Sequence, residues 1–272
     1  MGIQEEWSSI FVLELECLLH MYKWLRMAPK KLEVCIDSLE SAIAAVEGGA
    51  DRLELCAALS EGGLTPTLGL LTVVKKVIAP RSVDVFCMVR PRGGPMTFSQ
   101  EEKEIIISDT KALVKAGADG IVFGALKSDQ TIDVELSRSV QEAADGLPCT
   151  FHRAFDLIPD QLAGLETVIN LGYKRILTSG GQASAVEGSE NIAQLVAASK
   201  GRISVMAGAG IKSSNVTLLS SVTNAQEFHA SARIQRTVGS SDKCGPKMGL
   251  NDDCIIWVTC KEEVEKIKEA LN

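Results

Sequence analysis

The chain has 272 residues, of which 46 % are hydrophobic, 23 % charged and 4 % aromatic, and its formal net charge is −7. This balance is typical of a folded globular protein and excludes a disordered chain, a collagen and a small disulfide-dense domain. Phosphate binding needs clustered Lys and Arg, and no such stripe occurs, so we do not expect nucleic acid as a main partner.

The first 30 residues differ in character from the rest of the chain. Segment 10–25 is apolar with interspersed charged residues, which predicts an amphipathic helix that ends near Pro29. We interpret 1–30 as an N-terminal extension and 31–272 as the main domain. The alternative, a helix lying on a membrane surface, is disfavoured because its polar face is acidic. No run of about 18 uncharged apolar residues occurs, so we predict no membrane span.

From residue 31 onward, short apolar runs alternate with segments of helical period. The predicted strands are 32–36, 52–56, 83–89, 120–124, 149–155, 175–178, 203–207 and 227–231. The predicted helices are 38–47, 67–78, 100–116, 132–144, 160–171, 185–199, 213–221 and 261–271. Capping-box spacings that begin at Asp37, Ser99, Ser184 and Thr259 mark four of the helix starts.

Eight strand–helix units favour an α/β fold of the TIM type, a (β/α)8 barrel in a single domain with an N-terminal extension. The low aromatic content agrees, since parallel strands covered by helices use Val, Ile, Leu and Ala. The alternative is a doubly wound open sheet, whose first strand is usually followed by a glycine fingerprint. Here the first strand runs into Asp37 and Ser38 without that fingerprint, so the barrel is preferred.

Side-chain alternation predicts polar groups inside the first two strands of this barrel. Leu32, Val34 and Ile36 are expected to face the helices, which turns Glu33 and Cys35 toward the axis. The second strand repeats the pattern with Arg52, Glu54 and Cys56 inward. Unpaired glutamates inside a barrel would cost several kcal/mol each, so either a charge-compensated core or a functional site is expected.

Further polar residues gather at the carboxyl ends of the predicted strands, where TIM barrels place their active sites. Two histidines lie there, His152 and His229. Arginines and glycine-rich turns at the same end indicate an anion site, because free backbone N–H groups and guanidinium groups bind anions. The candidate anion-binding residues are Arg90, Arg92, Arg153, Gly180, Gly181, Gly208 and Gly210. Tight turns and structural ion pairs are the alternative interpretation.

The chain has eight cysteines, but its length and core make a disulfide framework unnecessary. No secretory signal is recognised, which predicts free thiols in the cytoplasm. Cys35 and Cys56 lie on neighbouring strands, roughly 4.8 Å apart in a parallel sheet, and were they level their sulfurs could touch. Soft thiolates select Cu(I), whereas zinc normally needs four ligands. The alternative is two small buried thiols that fill the core.

Five motifs resemble those of the CutC copper homeostasis family, and the resemblance runs from about residue 31 to the C-terminus. They are EVCIDSLESA (33–42), DRLELC with LSEGGLTP (51–56 and 59–66), RPRGG (90–94), FHRAFD (151–156) and EFH (227–229). Residues 1–30 have no recognised counterpart in the family, and segment 234–253 is shorter than the family pattern.

The resemblance implies a TIM barrel that binds Cu(I), one ion per subunit, with Cys35 and Cys56 as the ligands. It also implies a cytoplasmic protein, in eukaryotes also nuclear, that assembles into dimers or tetramers.

Two functions are therefore considered. The first is a cytosolic Cu(I)-binding protein. The second is an enzyme acting on a small anionic, for example phosphorylated, substrate at the barrel mouth. In it, Glu33, Glu54, His152 and His229 would be the catalytic acid and base groups. No lysine on a predicted strand points toward the mouth, which disfavours a Schiff-base aldolase.

Overall fold

The computed structural model describes residues 29–238 and 254–272. The predicted helix in 10–25, Cys17, Cys244 and most of segment 234–253 lie outside the described residues. From Lys31 onward, the described residues form one compact unit.

Eight parallel strands close into a barrel in chain order, which confirms the predicted TIM architecture. They are β1 (Lys31–Ile36), β2 (Arg52–Leu55), β3 (Asp84–Met88), β4 (Gly120–Phe123), β5 (Cys149–Phe151), β6 (Arg175–Thr178), β7 (Ser204–Ala207) and β8 (Glu227–Ala230). The register joins Glu33 to Arg52 and, across the closure, Glu33 to His229. Polar residues of β1, β2 and β8 are therefore neighbours.

Eight helices surround the strands in the described residues. They are α1 (Leu39–Glu47), α2 (Leu68–Ile78), α3 (Gln100–Lys115), α4 (Val134–Ala143), α5 (Gln161–Leu171), α6 (Ser189–Ser199), α7 (Val216–Thr223) and α8 (Lys261–Leu271). None of these helices combines the length and apolar character needed to cross a bilayer.

A reciprocal capping box forms at only one of the four positions where the spacing predicts one. Ser99 and Glu102 form a reciprocal capping box at α3. Helix α1 is capped by Ser38 instead of Asp37, α8 begins after Cys260, and Ser184 caps a turn before α6. Capping spacing alone cannot distinguish neighbouring Ser, Thr and Asp residues, because each can accept the same backbone hydrogen bond.

Two local differences from the predicted elements shape the barrel mouth. Strand β5 ends at Phe151 instead of Phe155, because Arg153–Leu157 forms a 3₁₀ helix, in which the backbone N–H of Ala154 donates to Nδ1 of His152. An antiparallel pair of β9 (Arg233–Thr237) and β10 (Ile255–Thr259) also follows β8, although the strand pattern of the sequence did not predict it. Both features place arginines beside the strand ends.

The lower half of the barrel interior holds a buried ion-pair network. Arg52 forms ion pairs with Glu33 and with Glu227, and Glu227 also pairs with Arg175. The guanidinium groups of Arg52 and Arg175 both lie about 5 Å from the ring centroid of Phe86. For Glu33, the structure thus matches the charge-compensated interpretation of the sequence.

Candidate functional site

Three buried side chains converge just above the ion-pair network, and each offers a metal-ligand atom. They are Cys35 from β1, Glu54 from β2 and His229 from β8, and one ligand atom from each lies within 4.8 Å of the others. Adjacent parallel strands bring these residues together, although Cys35 and His229 are 194 positions apart in the chain. A thiol, a carboxyl and an imidazole together form a plausible donor set for a metal ion.

Cys35 and Cys56 do not stand level in the barrel, which was the condition for contact between their sulfurs. The ladder pairs Cys35 with Glu54, so Cys56 stands two residues further toward the mouth. Strands of a closed barrel are staggered by its shear, and identical sequence patterns on neighbours therefore need not align. The Cys56 thiol donates a hydrogen bond to Glu54 Oε2 at 3.6 Å, and burial together with Glu54 raises its pKa well above the usual range.

Glu33 orients the imidazole of His229. Glu33 Oε1 lies 2.8 Å from His229 Nδ1, while His229 Nε2 lies 3.7 Å from Glu54 Oε2. Burial alone would raise the pKa of Glu33, but Arg52 and His229 outweigh it and hold the pKa below its usual value. An ionised Glu33 accepts the Nδ1 hydrogen bond and leaves Nε2 facing Glu54, as in the carboxylate–histidine–metal arrangement.

The pKa of Glu54 is shifted in the opposite direction from that of Glu33, although both side chains are buried in the same barrel. Burial and the neighbouring Glu33 raise the pKa of Glu54, while the nearby His229 lowers it only in part. Burial disfavours protonated His229, yet its interactions with Cys35 and Glu54 and its hydrogen bond to Glu33 raise its pKa well above the usual value. The two glutamates therefore have opposite tendencies, which is typical of a functional site.

A cavity of about 170 Å³ opens above this cluster at the barrel mouth. It is lined by Cys35, Glu54, Leu59, Gly62, Met88, Arg90, Met96, His152, Arg153, Leu177, His229 and Arg233. Of the predicted site residues, the structure thus brings together Cys35, Glu54, Arg90, His152, Arg153 and His229. Catalytic roles for Glu33, Glu54, His152 and His229 stay predictions.

Six of the lining residues were not among the candidate site residues, and three of these six carry a sulfur atom or a charge. Met88 and Met96 bring thioether groups, which are soft ligands, and Arg233 lies on the unpredicted strand β9. The inward alternation of strand β3 was a signal for Met88, but nothing in the local pattern indicated the antiparallel pair that carries Arg233.

Arg92 is placed away from this cavity. Its guanidinium pairs with Glu102 and donates to the carbonyl oxygens of Pro95 and Thr97. Arg92 therefore fastens the loop after β3 to the start of α3, and this geometry gives no support to an anion-binding role.

An internal carboxylate occupies the glycine turn after β6. Asp156 accepts hydrogen bonds from the backbone N–H groups of Ser179 and Gly181 and from both neighbouring hydroxyls, those of Thr178 and Ser179. Gly180 is packed so tightly that an added Cβ would lie 2.4 Å from the carbonyl oxygen of Gly188. The donors that Gly180 and Gly181 were predicted to offer to an anion are thus already in use within the protein.

Replacing Asp156 by Asn is expected to lower the free energy of unfolding by about 2 kcal/mol, because an amide NH2 would face donors instead of accepting from them. Chemical denaturation monitored by circular dichroism measures this loss. Glu166→Gln is the matched control, since its ion pair with Arg202 is half exposed and is expected to contribute under about 1 kcal/mol. Equal losses in the two variants would contradict the assignment.

The turn after β7 differs from that after β6. Gly208 donates its N–H to the carbonyl oxygen of Thr178, and an added Cβ there would clash with Leu177. Gly210 lines a second cavity, of about 590 Å³, which shares Cys35, Arg153, His229 and Arg233 with the first. Anion binding at Gly208 and Gly210 stays a prediction.

Comparisons with known proteins agree with this architecture and these motifs. The model of the CutC family matches residues 30–234. The human copper homeostasis protein cutC homolog is 45 % identical over 238 residues, which cover 87 % of this chain and 86 % of the human protein. The mouse cutC homolog is 49 % identical over 208 residues, or 76 % of this chain and 75 % of the mouse protein.

Solved structures agree as well. A crystal structure of CutC from Streptococcus agalactiae superposes with a TM-score of 0.72 at 30 % identity, covering 74 % of this chain and 98 % of that one. Thiamine phosphate pyrophosphorylase from Pyrococcus furiosus superposes with a TM-score of 0.55 at 16 % identity, covering 89 % of this chain and 95 % of that one. The second likeness shows a shared fold alone.

Proposed function

This chain belongs to the CutC copper homeostasis family, and from that membership we propose that it binds Cu(I), one ion per chain, with Cys35 and His229 as principal ligands. The observation that carries the proposal is the convergence of a thiol, an imidazole and a carboxyl group from three neighbouring strands. The binding site would lie inside the barrel, directly below the mouth cavity.

The donor chemistry supports copper over harder ions. Cu(I) prefers thiolate, thioether and imidazole ligands, whereas magnesium and calcium prefer oxygen. Cys35 and His229 supply two preferred donor types, and the thioethers of Met88 and Met96 line the same cavity. Glu54 brings the only oxygen donor of the three-residue cluster, so the soft donors favour Cu(I).

The contacts that hold His229 in place also support a copper site. Glu33 accepts from His229 Nδ1 and is itself held by Arg52, which fixes the imidazole plane. Carboxylates that orient a ligating histidine in this way raise its basicity and hold its orientation. The lower ion-pair network would therefore serve as the rigid support of the copper site.

Cys56 remains a proposed copper ligand, but the structure supports it less well than Cys35 and His229. Its sulfur is not one of the three converging atoms, and its thiol donates to Glu54 instead. The pair expected from the family resemblance, Cys35 and Cys56, would require Cys56 to exchange that hydrogen bond for the metal.

Anaerobic titration with Cu(I) and a chromophoric competing chelator tests the proposal. We expect one tightly held ion per chain in the native protein and none in the Cys35→Ser, Cys56→Ser double variant. Unchanged uptake by the double variant would contradict the copper site.

Location and assembly are proposed on the family resemblance. We expect a cytoplasmic protein, in a eukaryotic cell also nuclear, that forms dimers or tetramers. Light scattering after size-exclusion chromatography measures the assembly state.

A further inference from the structure

Four residues that line the 170 Å³ mouth cavity carry a buried side-chain polar atom without a hydrogen-bond partner. Within residues 29–238 and 254–272, these atoms are the nitrogens Arg90 Nε, His152 Nε2 and Arg233 Nε and the oxygen Glu54 Oε1. Three of the four are therefore on the nitrogen side of the hydrogen-bond balance. A buried donor left without an acceptor costs roughly 1–3 kcal/mol, so three around one cavity require an explanation.

His152 is a donor toward this cavity. Its Nδ1 accepts the backbone N–H of Ala154 at 3.2 Å, which places the ring proton of the neutral imidazole on Nε2. Burial and the neighbouring Arg90 lower the pKa of His152 to about 4, so the neutral form is the stable one near pH 7. The unpartnered atom is therefore an N–H group that needs an acceptor.

Arg90 carries a buried positive charge that no described carboxylate neutralises by an ion pair. Its terminal nitrogens donate to the carbonyl oxygens of Glu61 and Gly94, and its side chain is almost fully buried. These neutral contacts fix the guanidinium in place and leave Nε unused. A guanidinium held in this way keeps its full positive charge beside the cavity, which favours an anion there.

Arg233 adds a second weakly balanced cation. Its nearest carboxylate oxygen, on Asp37, lies at 4.0 Å, and its guanidinium stacks 5.8 Å from the ring centroid of Trp257. Arg153 also lines the cavity, but it is already paired with Asp156. The opposing negative group at the cavity wall is Glu54. Two weakly balanced guanidinium groups therefore face one carboxyl, which leaves the wall positive.

We propose that this cavity binds a small oxyanion, a carboxylate or a phosphate, through Arg90, His152 and Arg233. The volume is smaller than that of typical drug-sized pockets, which suits a ligand or ligand group of a few heavy atoms. This inference goes beyond copper binding and needs no metal, although both sites share the wall formed by Cys35, Glu54 and His229.

Calorimetric titration of the metal-free full chain tests this proposal with two separate probes. The buffer contains a reductant, and chloride is its only other anion. Inorganic phosphate represents the first source of oxyanion, and malonate represents the second. We expect saturable 1:1 binding of at least one probe. Arg233→Gln and His152→Phe are each expected to weaken it roughly tenfold or more, the usual effect of losing one charged or fully buried hydrogen bond.

Arg236→Gln is the matched control because it removes the same charge three residues further along β9. Arg236 is half exposed and pairs with Glu40 on the outer surface, so its loss is expected to leave the affinity within about twofold of the parent, as for exposed pairs. An equal loss in Arg236→Gln and Arg233→Gln, or no saturable binding of either probe, would overturn the proposal.

The two titrations distinguish failure of this inference from failure of the copper proposal, because the oxyanion titration uses metal-free protein. Uptake of Cu(I) without saturable binding of either oxyanion would overturn this inference alone. Saturable oxyanion binding without uptake of Cu(I) would overturn the copper proposal alone.

Discussion

Cys35→Ser is expected to lower the affinity for Cu(I) by more than roughly 100-fold. Loss of a residue that only contacts a metal ligand typically lowers metal affinity by roughly 10–100-fold, and loss of a ligand itself should cost more. The change removes the one thiol among the three converging ligand atoms and replaces it with a hard hydroxyl oxygen. Cys35 is only 8 % exposed, and serine is nearly isosteric, so the barrel is expected to stay folded. Competition with a Cu(I) chelator under reducing, anaerobic conditions measures the change.

The matched controls are Cys56→Ser and Cys260→Ser. Cys260 lies at the start of α8 and is not one of the three converging residues, and its replacement is expected to leave the affinity unchanged. Cys56→Ser is expected to cost less than Cys35→Ser, since Cys56 donates to Glu54 in the structure. The assignment would be wrong if Cys35→Ser retained parent affinity while Cys56→Ser lost it.

Arg52→Met is expected to lower the free energy of unfolding by about 3–5 kcal/mol. Arg52 bridges Glu33 and Glu227 inside the barrel, and all three residues are buried. Removing the cation leaves carboxylates in a low-dielectric interior with fewer partners, which costs more than the lost attraction alone. For a domain of this size, the melting temperature should fall by roughly 10 °C.

A second substitution tests whether uncompensated buried charge causes the loss of stability in Arg52→Met. In the Arg52→Met, Glu33→Gln variant the uncompensated charge at Glu33 is gone, so part of the lost stability should return. Arg202→Met is the surface control, because Arg202 pairs with Glu166 where both are about half exposed. Were the double variant less stable than Arg52→Met alone, lost packing instead of buried charge would explain the effect.

Periodicity was sufficient to predict the barrel because strands of period 2 and helices of period 3.6 repeated eight times. It also indicated that Glu33, Cys35, Arg52 and Glu54 face inward. It failed at β5, where 149–155 was predicted as strand although a 3₁₀ helix begins at Arg153. A short apolar run with polar insertions fits both structures, and only the packing of Phe155 in the core decides between them.

The partners of the site residues could not be predicted in the same way. The sequence suggested a pair of thiols, yet the barrel register sets Cys35 against Glu54 and the closure brings in His229. The glycine turn at Gly180 and Gly181 suggested a free anion site, yet Asp156 already occupies its donors. Each of these outcomes depends on contacts between residues more than 18 positions apart.

The sequence by itself determined the fold, the family and which side chains enter the barrel, because these follow from local alternation and from long motifs. Only the tertiary structure decided which of those side chains meet. Strand stagger sets the height of each inward residue, and closure joins the first strand to the last. Together they turned a predicted sulfur pair into a Cys35, Glu54 and His229 cluster beneath a cavity lined by unpartnered donors.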